Sequence, residues 1–92
     1  MSKDILFKPS KELTFQTVEP DRARLLAHIQ DDSIEHLRFD LSQVKHCDSA
    51  GLALLIEAKR LCGHYKKSFS IAEMTQEIHA LAEFCGVEAI LM

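Results

Sequence analysis

The sequence contains no long hydrophobic run and no concentration of positive charge. Its longest uninterrupted apolar stretch, residues 50–56, is about seven residues long, whereas a membrane-spanning helix needs about 20. Eleven Lys and Arg residues stand against fourteen Asp and Glu residues, which gives a net charge of -3. Because binding of nucleic acids is driven by clustered Lys and Arg, the composition predicts a protein that neither spans a membrane nor binds nucleic acid.

The sequence also lacks a CxxC pair and any repeated spacing of metal ligands, and we expect no signal peptide. The N-terminus has no apolar core of the kind that directs export. Three cysteines cannot all pair with one another, which favours a reducing, cytoplasmic setting. Cys62 and Cys85 fall on the inner faces of predicted helices and are expected in the core. We therefore predict a cytoplasmic protein with no metal and no other cofactor.

A chain of 92 residues with 47% hydrophobic residues fits one compact domain, and we expect a single domain over residues 1–92. Apolar periodicity predicts the element order β-β-α-β-α-β-α. The predicted strands are 5–8, 12–16, 37–41 and 68–72, and the predicted helices are 17–32, 49–62 and 75–85. A small mixed β-sheet packed with about three α-helices, an α/β sandwich, accommodates this order.

Several local features refine this prediction. Residues 9–11 suit a hairpin turn between the first two strands. Gly63 and Gly86 are expected to end the second and third helices, and Thr75 to cap the start of the third. Leu13 and Phe15 alternate with polar residues and are expected on one face of the second strand. A final short strand is expected at 89–91.

The most distinctive segment runs from a strand through a loop into the helix that begins near Asp48. Asp48 or Ser49 is expected to accept hydrogen bonds from the first-turn N–H groups. Gly51 costs a helix about 1 kcal/mol relative to Ala, so its presence indicates a close approach by another backbone or by a partner. A phosphate on Ser49 would add a charge of about -1.5 to -2 beside Asp48. This segment therefore has the chemistry of a binding switch.

The segment resembles the STAS domain, the family of anti-sigma-factor antagonists and of small transporter-associated modules. That family places Asp-Ser/Thr-x-Gly-Leu at a helix start after a hydrophobic strand, and the matching positions here are Asp48, Ser49, Ala50, Gly51 and Leu52. The predicted element order is similar to the family fold over nearly the whole chain. In phosphorylated members the modified hydroxyl follows the Asp, so the resemblance implies Ser49 as the corresponding position.

The continuation Gly51-Leu-Ala-Leu-Leu-Ile-Glu57 is most similar to the MlaB-like group, the stand-alone STAS subunits of Mla-type phospholipid ABC transporters. The resemblance implies a non-catalytic module that binds the cytoplasmic ATPase of such a transporter at the inner-membrane face. The process implied is phospholipid trafficking and outer-membrane lipid asymmetry. The partner interface implied by the resemblance and by the apolar helix consists of Asp48, Ser49, Ala50, Gly51, Leu52, Ala53, Leu54 and Glu57.

Three alternatives remain at this point. An anti-sigma-factor antagonist would bind an anti-sigma kinase and be switched by phosphorylation of Ser49, although residues 15–18 depart from the Gly-x-Leu-Asp run that the family often has. A small enzyme would use Ser49 or Cys47, but no Gly-x-Ser-x-Gly elbow and no oriented base are evident. Asp48 and Ser49 could also act only as a helix cap, on a helix that is simply buried.

Overall fold

Nine short elements make up the computed structural model, which describes residues 3–91. In chain order they are β1 (Lys3–Phe7), β2 (Glu12–Leu13), α1 (Val18–Ile29), β3 (Ile34–Asp40), β4 (His46–Cys47), α2 (Ser49–His64), β5 (Ser68–Ala72), α3 (Gln76–Phe84) and α4 (Glu88–Leu91). The predicted α/β sandwich is confirmed, with strands and helices in nearly the predicted order. The predicted strand at 89–91 is wrong, because these residues belong to the helical turn α4.

The strands form two separate sheets, and every strand pair within residues 3–91 is parallel. The larger sheet has the order β1-β3-β5, in which Asp4 lies opposite His36 and His36 opposite Ser68. The smaller sheet pairs β2 with β4 and places Leu13 opposite Cys47. The expected crossover is confirmed, since α2 connects β3 to its parallel neighbour β5. The expected mixed sheet is wrong, because no antiparallel pair occurs in the described part of the chain.

The predicted hairpin at residues 9–11 is also wrong, and the reason lies in α1. Asp21 is 1% exposed, and its carboxylate accepts hydrogen bonds from the N–H of Ser10 (3.1 Å) and from the Ser10 hydroxyl (3.0 Å). The Arg24 guanidinium, 2.8 Å from the same carboxylate, also donates to the Lys8 carbonyl. These bonds attach the connection to α1, so β1 and β2 enter different sheets instead of pairing.

The core lies between the larger sheet and the helices. β3 contributes Leu37 and Phe39, and α2 contributes Leu55, Ala58 and Cys62, all fully buried. Further members of the same cluster come from every other helix and from β1 and β2: Phe7, Leu13, Leu25, Ile29, Ile78, Ala82 and Leu91. The other face of the sheet carries partly or fully exposed side chains, which include Leu6, His36 and Arg38.

The helix ends predicted from the sequence are confirmed for α3, whereas the predicted end of α2 is wrong. The Thr75 hydroxyl accepts a hydrogen bond from the N–H of Ile78, and Gly86 follows α3 with φ +72°, as predicted. Gly63 was expected to end α2, but the helix continues through His64, and Lys66 adopts the left-handed conformation with φ 59°. Cys85 was expected in the core and is exposed, because α3 ends at Phe84 and its inner stripe stops there.

Candidate functional site

The start of α2 is held by the carboxylate of Asp48. One oxygen, Oδ1, accepts hydrogen bonds from the N–H groups of Ala50 (2.9 Å) and Gly51 (3.1 Å). Asp48 itself has extended backbone angles, as a residue preceding a helix should, and Ser49 is the first helical residue. Of the two residues considered as caps, Asp48 therefore performs that role.

The second carboxylate oxygen of Asp48 reaches a different part of the chain. Oδ2 accepts a hydrogen bond from the N–H of Phe15 at 3.0 Å, and the N–H of Asp48 donates to the carbonyl of Leu13 at 3.2 Å. One side chain thus connects the first turn of α2 to the loop between β2 and α1. A substitution of Asp48 is therefore expected to perturb both the first turn of α2 and this loop.

Gly51 explains how β2 can lie so close to α2. A Cβ atom built on Gly51 would stand 2.0 Å from the carbonyl oxygen of Leu13 and 2.8 Å from its carbonyl carbon. No side chain fits into that space, so glycine is required by the neighbouring backbone. Of the two explanations offered by the sequence, close approach of another backbone is the one that the structure supports.

Ionisation of the two titratable groups at the cap follows from this geometry. Partial burial raises the pKa of Asp48, but hydrogen bonds from the N–H groups of Phe15, Gly51 and Ala50 outweigh it and hold the pKa below its ordinary value. Burial, with the nearby negative charges of Asp48 and Glu77, raises the pKa of Cys47 to about 11. Cys47 is therefore a neutral thiol near pH 7, not an activated nucleophile.

The residues predicted at the partner interface divide into two groups. Ser49 and Ala53 are exposed, and Asp48, Ala50 and Glu57 are half-buried. The other three predicted residues are buried: Gly51, Leu52 and Leu54. Their side chains, or in Gly51 the backbone, already contact the rest of the fold, so they offer almost no area to a partner. We correct the interface prediction by removing these three. We also leave out Asp48, because both oxygens of its carboxylate already accept hydrogen bonds within the fold. The exposed and half-buried remainder, Ser49, Ala50, Ala53 and Glu57, is called the Ser49 surface.

Glu57 lies at the edge of this surface, where α2 faces α1. Its Oε1 atom is 2.7 Å from Nε of Arg22, with the two side chains 28% and 48% exposed. An exposed ion pair of this kind contributes about 0–1 kcal/mol to stability. The pair therefore contributes little to the stability of the fold, and its main effect is to hold the Glu57 side chain at the border of the Ser49 surface.

Phe15 lies near the start of α2 through its backbone bond to Asp48, although the sequence pattern did not identify it. Its alternation with Leu13 predicted that both side chains would face one way, yet Leu13 is fully buried and Phe15 is 70% exposed. The strand ends at Leu13, and a turn follows in which the N–H groups of Thr17 and Val18 both donate to the Thr14 carbonyl at 2.9 Å. A two-residue strand is too short for a period of two to predict the direction of the next side chain.

Within residues 3–91, no hydrogen bond joins the Ser49 hydroxyl to a histidine side chain. The hydrogen bond between a serine and a histidine in this part of the chain joins Ser70 to Nε2 of His36 (3.0 Å), on the exposed face of the larger sheet. Among the described residues, no three His, Cys, Asp or Glu side chains are grouped to hold a metal ion. No described helix is long and apolar enough to cross a membrane. The geometry at Ser49 is that of a capped helix end with an open, small-residue surface.

The chain matches one protein family in sequence and is similar in fold to solved structures. Residues 10–92 match the family described as Mlab, STAS domain. The fold is similar to the Bacillus cell fate determinant SpoIIAA in its phosphorylated form, with a TM-score of 0.75 and 16% identity over 100% of this chain and 83% of that one. It is also similar to the anti-sigma factor antagonist SpoIIAA in its unphosphorylated form, with a TM-score of 0.78 and 16% identity over 100% of this chain and 80% of that one. No curated protein sequence matches significantly.

Proposed function

This chain belongs to the STAS domain family, whose members are non-catalytic regulatory or binding modules, and from that premise we propose that it docks on the cytoplasmic ATPase of an Mla-type ABC transporter. The ATPase would hydrolyse ATP, since this sequence has no Gly-x-x-x-x-Gly-Lys phosphate loop. The module would support assembly and activity of a transporter engaged in phospholipid trafficking and outer-membrane lipid asymmetry. Its place would be the cytoplasmic side of the inner membrane, with residues 1–92 acting as a single STAS domain.

The observation that carries this proposal is the Ser49 surface itself. Ser49 and Ala53 lie one helical turn apart, are exposed and are small, so a partner backbone can approach the helix closely. Asp48 holds the first turn in place through two hydrogen bonds, so little conformational entropy is lost when a partner binds. A specific interface of standard size buries about 1,200–2,000 Å² in total, which extends beyond these four residues onto their neighbours.

Replacement of Ser49 by arginine tests the docking surface. We expect Ser49→Arg to weaken binding to the purified ATPase subunit at least tenfold, because a long charged side chain would occupy the small-residue surface. Ser68→Arg is the matched control, since Ser68 is also exposed but begins β5, which follows the far end of α2. Unchanged binding of Ser49→Arg, measured by calorimetry, would show that the partner docks elsewhere.

A second candidate function is favoured by the phosphorylated and unphosphorylated forms of SpoIIAA among similar structures. In this alternative the chain is an anti-sigma-factor antagonist, and an anti-sigma kinase phosphorylates Ser49. The Ser49 hydroxyl is exposed and therefore open to a kinase. Mass spectrometry of the native protein, combined with a pull-down, distinguishes the two functions. Phosphorylated Ser49 with a bound kinase supports the alternative, and a bound transporter ATPase contradicts it.

A further inference from the structure

One exposed aromatic residue, Phe15, lies in the loop that is hydrogen-bonded to the start of α2. Phe15 is 70% exposed, and its backbone N–H is bonded to the same Asp48 carboxylate that caps α2. The backbone of Phe15 therefore lies against the start of α2, while most of its ring is exposed to solvent. A large apolar side chain held outside the core near a docking surface is a candidate contact for whatever binds there.

The backbone that presents the Phe15 ring is fixed on both sides. The Thr14 N–H donates to the Thr17 hydroxyl oxygen at 2.9 Å, and that hydroxyl donates in turn to the Glu12 carbonyl. With the Asp48 bond between them, three hydrogen bonds hold the loop before α1. A partner would therefore meet an aromatic group whose backbone is already ordered, which lowers the entropic cost of binding.

The charge around Phe15 indicates what kind of surface fits it. Residues 12–20 contain two acidic residues, Glu12 and Glu19, and no Lys or Arg; the nearest basic residues along the chain are Lys11 and Arg22, and Arg22 is paired with Glu57. Glu12 and Glu19 are both exposed, and the Asp48 carboxylate adds a third negative charge next to Phe15. A complementary surface is apolar where it receives the ring and carries Lys or Arg around it.

We propose that Phe15 is the anchor of the interface, and that its ring inserts into an apolar pocket of the ATPase bordered by basic side chains. The proposal rests on the docking function proposed above and extends the interface from α2 onto the loop between β2 and α1. Buried aromatic residues at the centre of interfaces commonly carry most of the binding energy, whereas their neighbours contribute little. Phe15 is the exposed aromatic residue in this loop, and the nearby first turn of α2 carries the small residues Ser49 and Ala50.

Binding of the purified ATPase subunit from the same organism's Mla-type transporter tests the anchor. We expect Phe15→Ala to raise the dissociation constant by at least about 30-fold, the loss typical of an interface anchor. Phe84→Ala is the matched control, because Phe84 is 87% exposed on α3, and it should change binding less than about twofold. Phe15→Trp should retain most of the affinity. Thermal unfolding of each variant verifies that the fold is intact.

The outcomes separate the anchor from the docking function. If the unaltered chain binds the ATPase and Phe15→Ala binds equally well, the anchor is wrong and the docking function stands. Equal losses in Phe15→Ala and Phe84→Ala also overturn the anchor. If the unaltered chain does not bind the ATPase, both proposals fail. A Glu12→Gln, Glu19→Gln double variant should weaken the salt dependence of the association rate, and an unchanged dependence contradicts the basic border of the pocket.

Discussion

Gly51 is the residue on which the contact between β2 and α2 depends. We predict that Gly51→Ala lowers the free energy of unfolding by about 1–3 kcal/mol or more, because the new Cβ would overlap the Leu13 carbonyl and a backbone segment must move. Gly63→Ala is the matched control in the same helix. Its Cβ would meet no atom within 4 Å, so we expect a gain of about 0.5–1 kcal/mol from helix propensity. Urea denaturation measures both, and equal effects would contradict the close approach.

The ionisation of Asp48 predicts how the stability of the fold depends on pH. Its folded pKa lies below the ordinary value of 3.8, so the unfolded chain binds the proton more readily. The stabilisation by the carboxylate is therefore complete well above pH 3.8 and is lost as the pH falls through the folded pKa. Asp48→Asn should cost about 0.5–1.5 kcal/mol at neutral pH, because both carboxylate oxygens accept hydrogen bonds and the amide nitrogen that replaces one of them cannot.

The pH dependence of Asp48→Asn should be shallower than that of the unaltered chain. Hydrogen bonds from Ser33 and Ser42 also lower the pKa values of Asp31 and Asp40, but these groups are the same in both proteins and cancel in the comparison. Denaturation measured from pH 7 to pH 3 should show the two stabilities converging. A constant difference over that range would mean that Asp48 acts by shape and not by charge.

At the level of elements, α2 and α3 end in the same way with different residues. In both, the residue after the cap has a positive φ, Lys66 at 59° and Gly86 at 72°. In both, the following N–H reaches back to the carbonyl of the last turn, from Lys67 to Cys62 at 2.7 Å and from Val87 to Ala82 at 2.9 Å. Glycine adopts this conformation without steric cost, whereas lysine does not.

Exchange at these two positions should have opposite effects. We predict that Lys66→Gly raises the free energy of unfolding by about 0.5–1 kcal/mol and that Gly86→Ala lowers it by a similar amount. A Cβ on Gly86 would meet no atom within 4 Å, so its effect is conformational only. Chemical denaturation of the two variants provides the measurement. Destabilisation by Lys66→Gly would show that the lysine side chain contributes more than its backbone conformation costs.

Prediction of the elements from sequence succeeded where periodicity or capping residues are strong. The inner stripe of α3, with Thr75 before it and Gly86 after it, identified that helix and both its ends. The end predicted for α2 at Gly63 was wrong. A glycine near a helix end does not show whether the residue with positive φ is that glycine or a residue three positions later. At the candidate site, the resemblance predicted Ser49, and its role stays a prediction. The exposure of Phe15 could not be predicted, because it depends on a turn and on Asp48, 33 positions away.

At the level of the whole molecule, β1 belongs to the core although it precedes the family match, which begins at residue 10. The Phe7 ring lies 4.9 Å from the Phe39 ring and beneath the Arg24 guanidinium at 4.8 Å. We predict that Phe7→Ala lowers the free energy of unfolding by about 3–5 kcal/mol. Leu6→Ala should change it by less than about 0.5 kcal/mol, because Leu6 faces outward and is 53% exposed. Comparable losses would contradict the register of β1.

The pairing of β1 could not be predicted from sequence. Two short strand patterns separated by three residues normally indicate a hairpin, and nothing local distinguishes β1 from such a partner. The alternative depends on Asp21 in α1, the element after β2, whose carboxylate accepts hydrogen bonds from Ser10. Burial of Asp21 was not evident from the sequence, since an Asp in a first helical turn is ordinarily solvated.

The parallel larger sheet has a consequence for synthesis. Asp4 pairs with His36 and His36 with Ser68, so each contact joins positions more than thirty residues apart along the chain. No part of this sheet can form locally, and loops of that length must close before any strand gains a neighbour. During synthesis, β1 is therefore made about thirty residues before its partner β3, and β3 is made about thirty residues before its second partner β5. Of the elements that precede β5, α1 and α2 are the helices that pack against the sheet in the folded chain, so they are the ones available to cover the apolar sides of β1 and β3 before β5 is made.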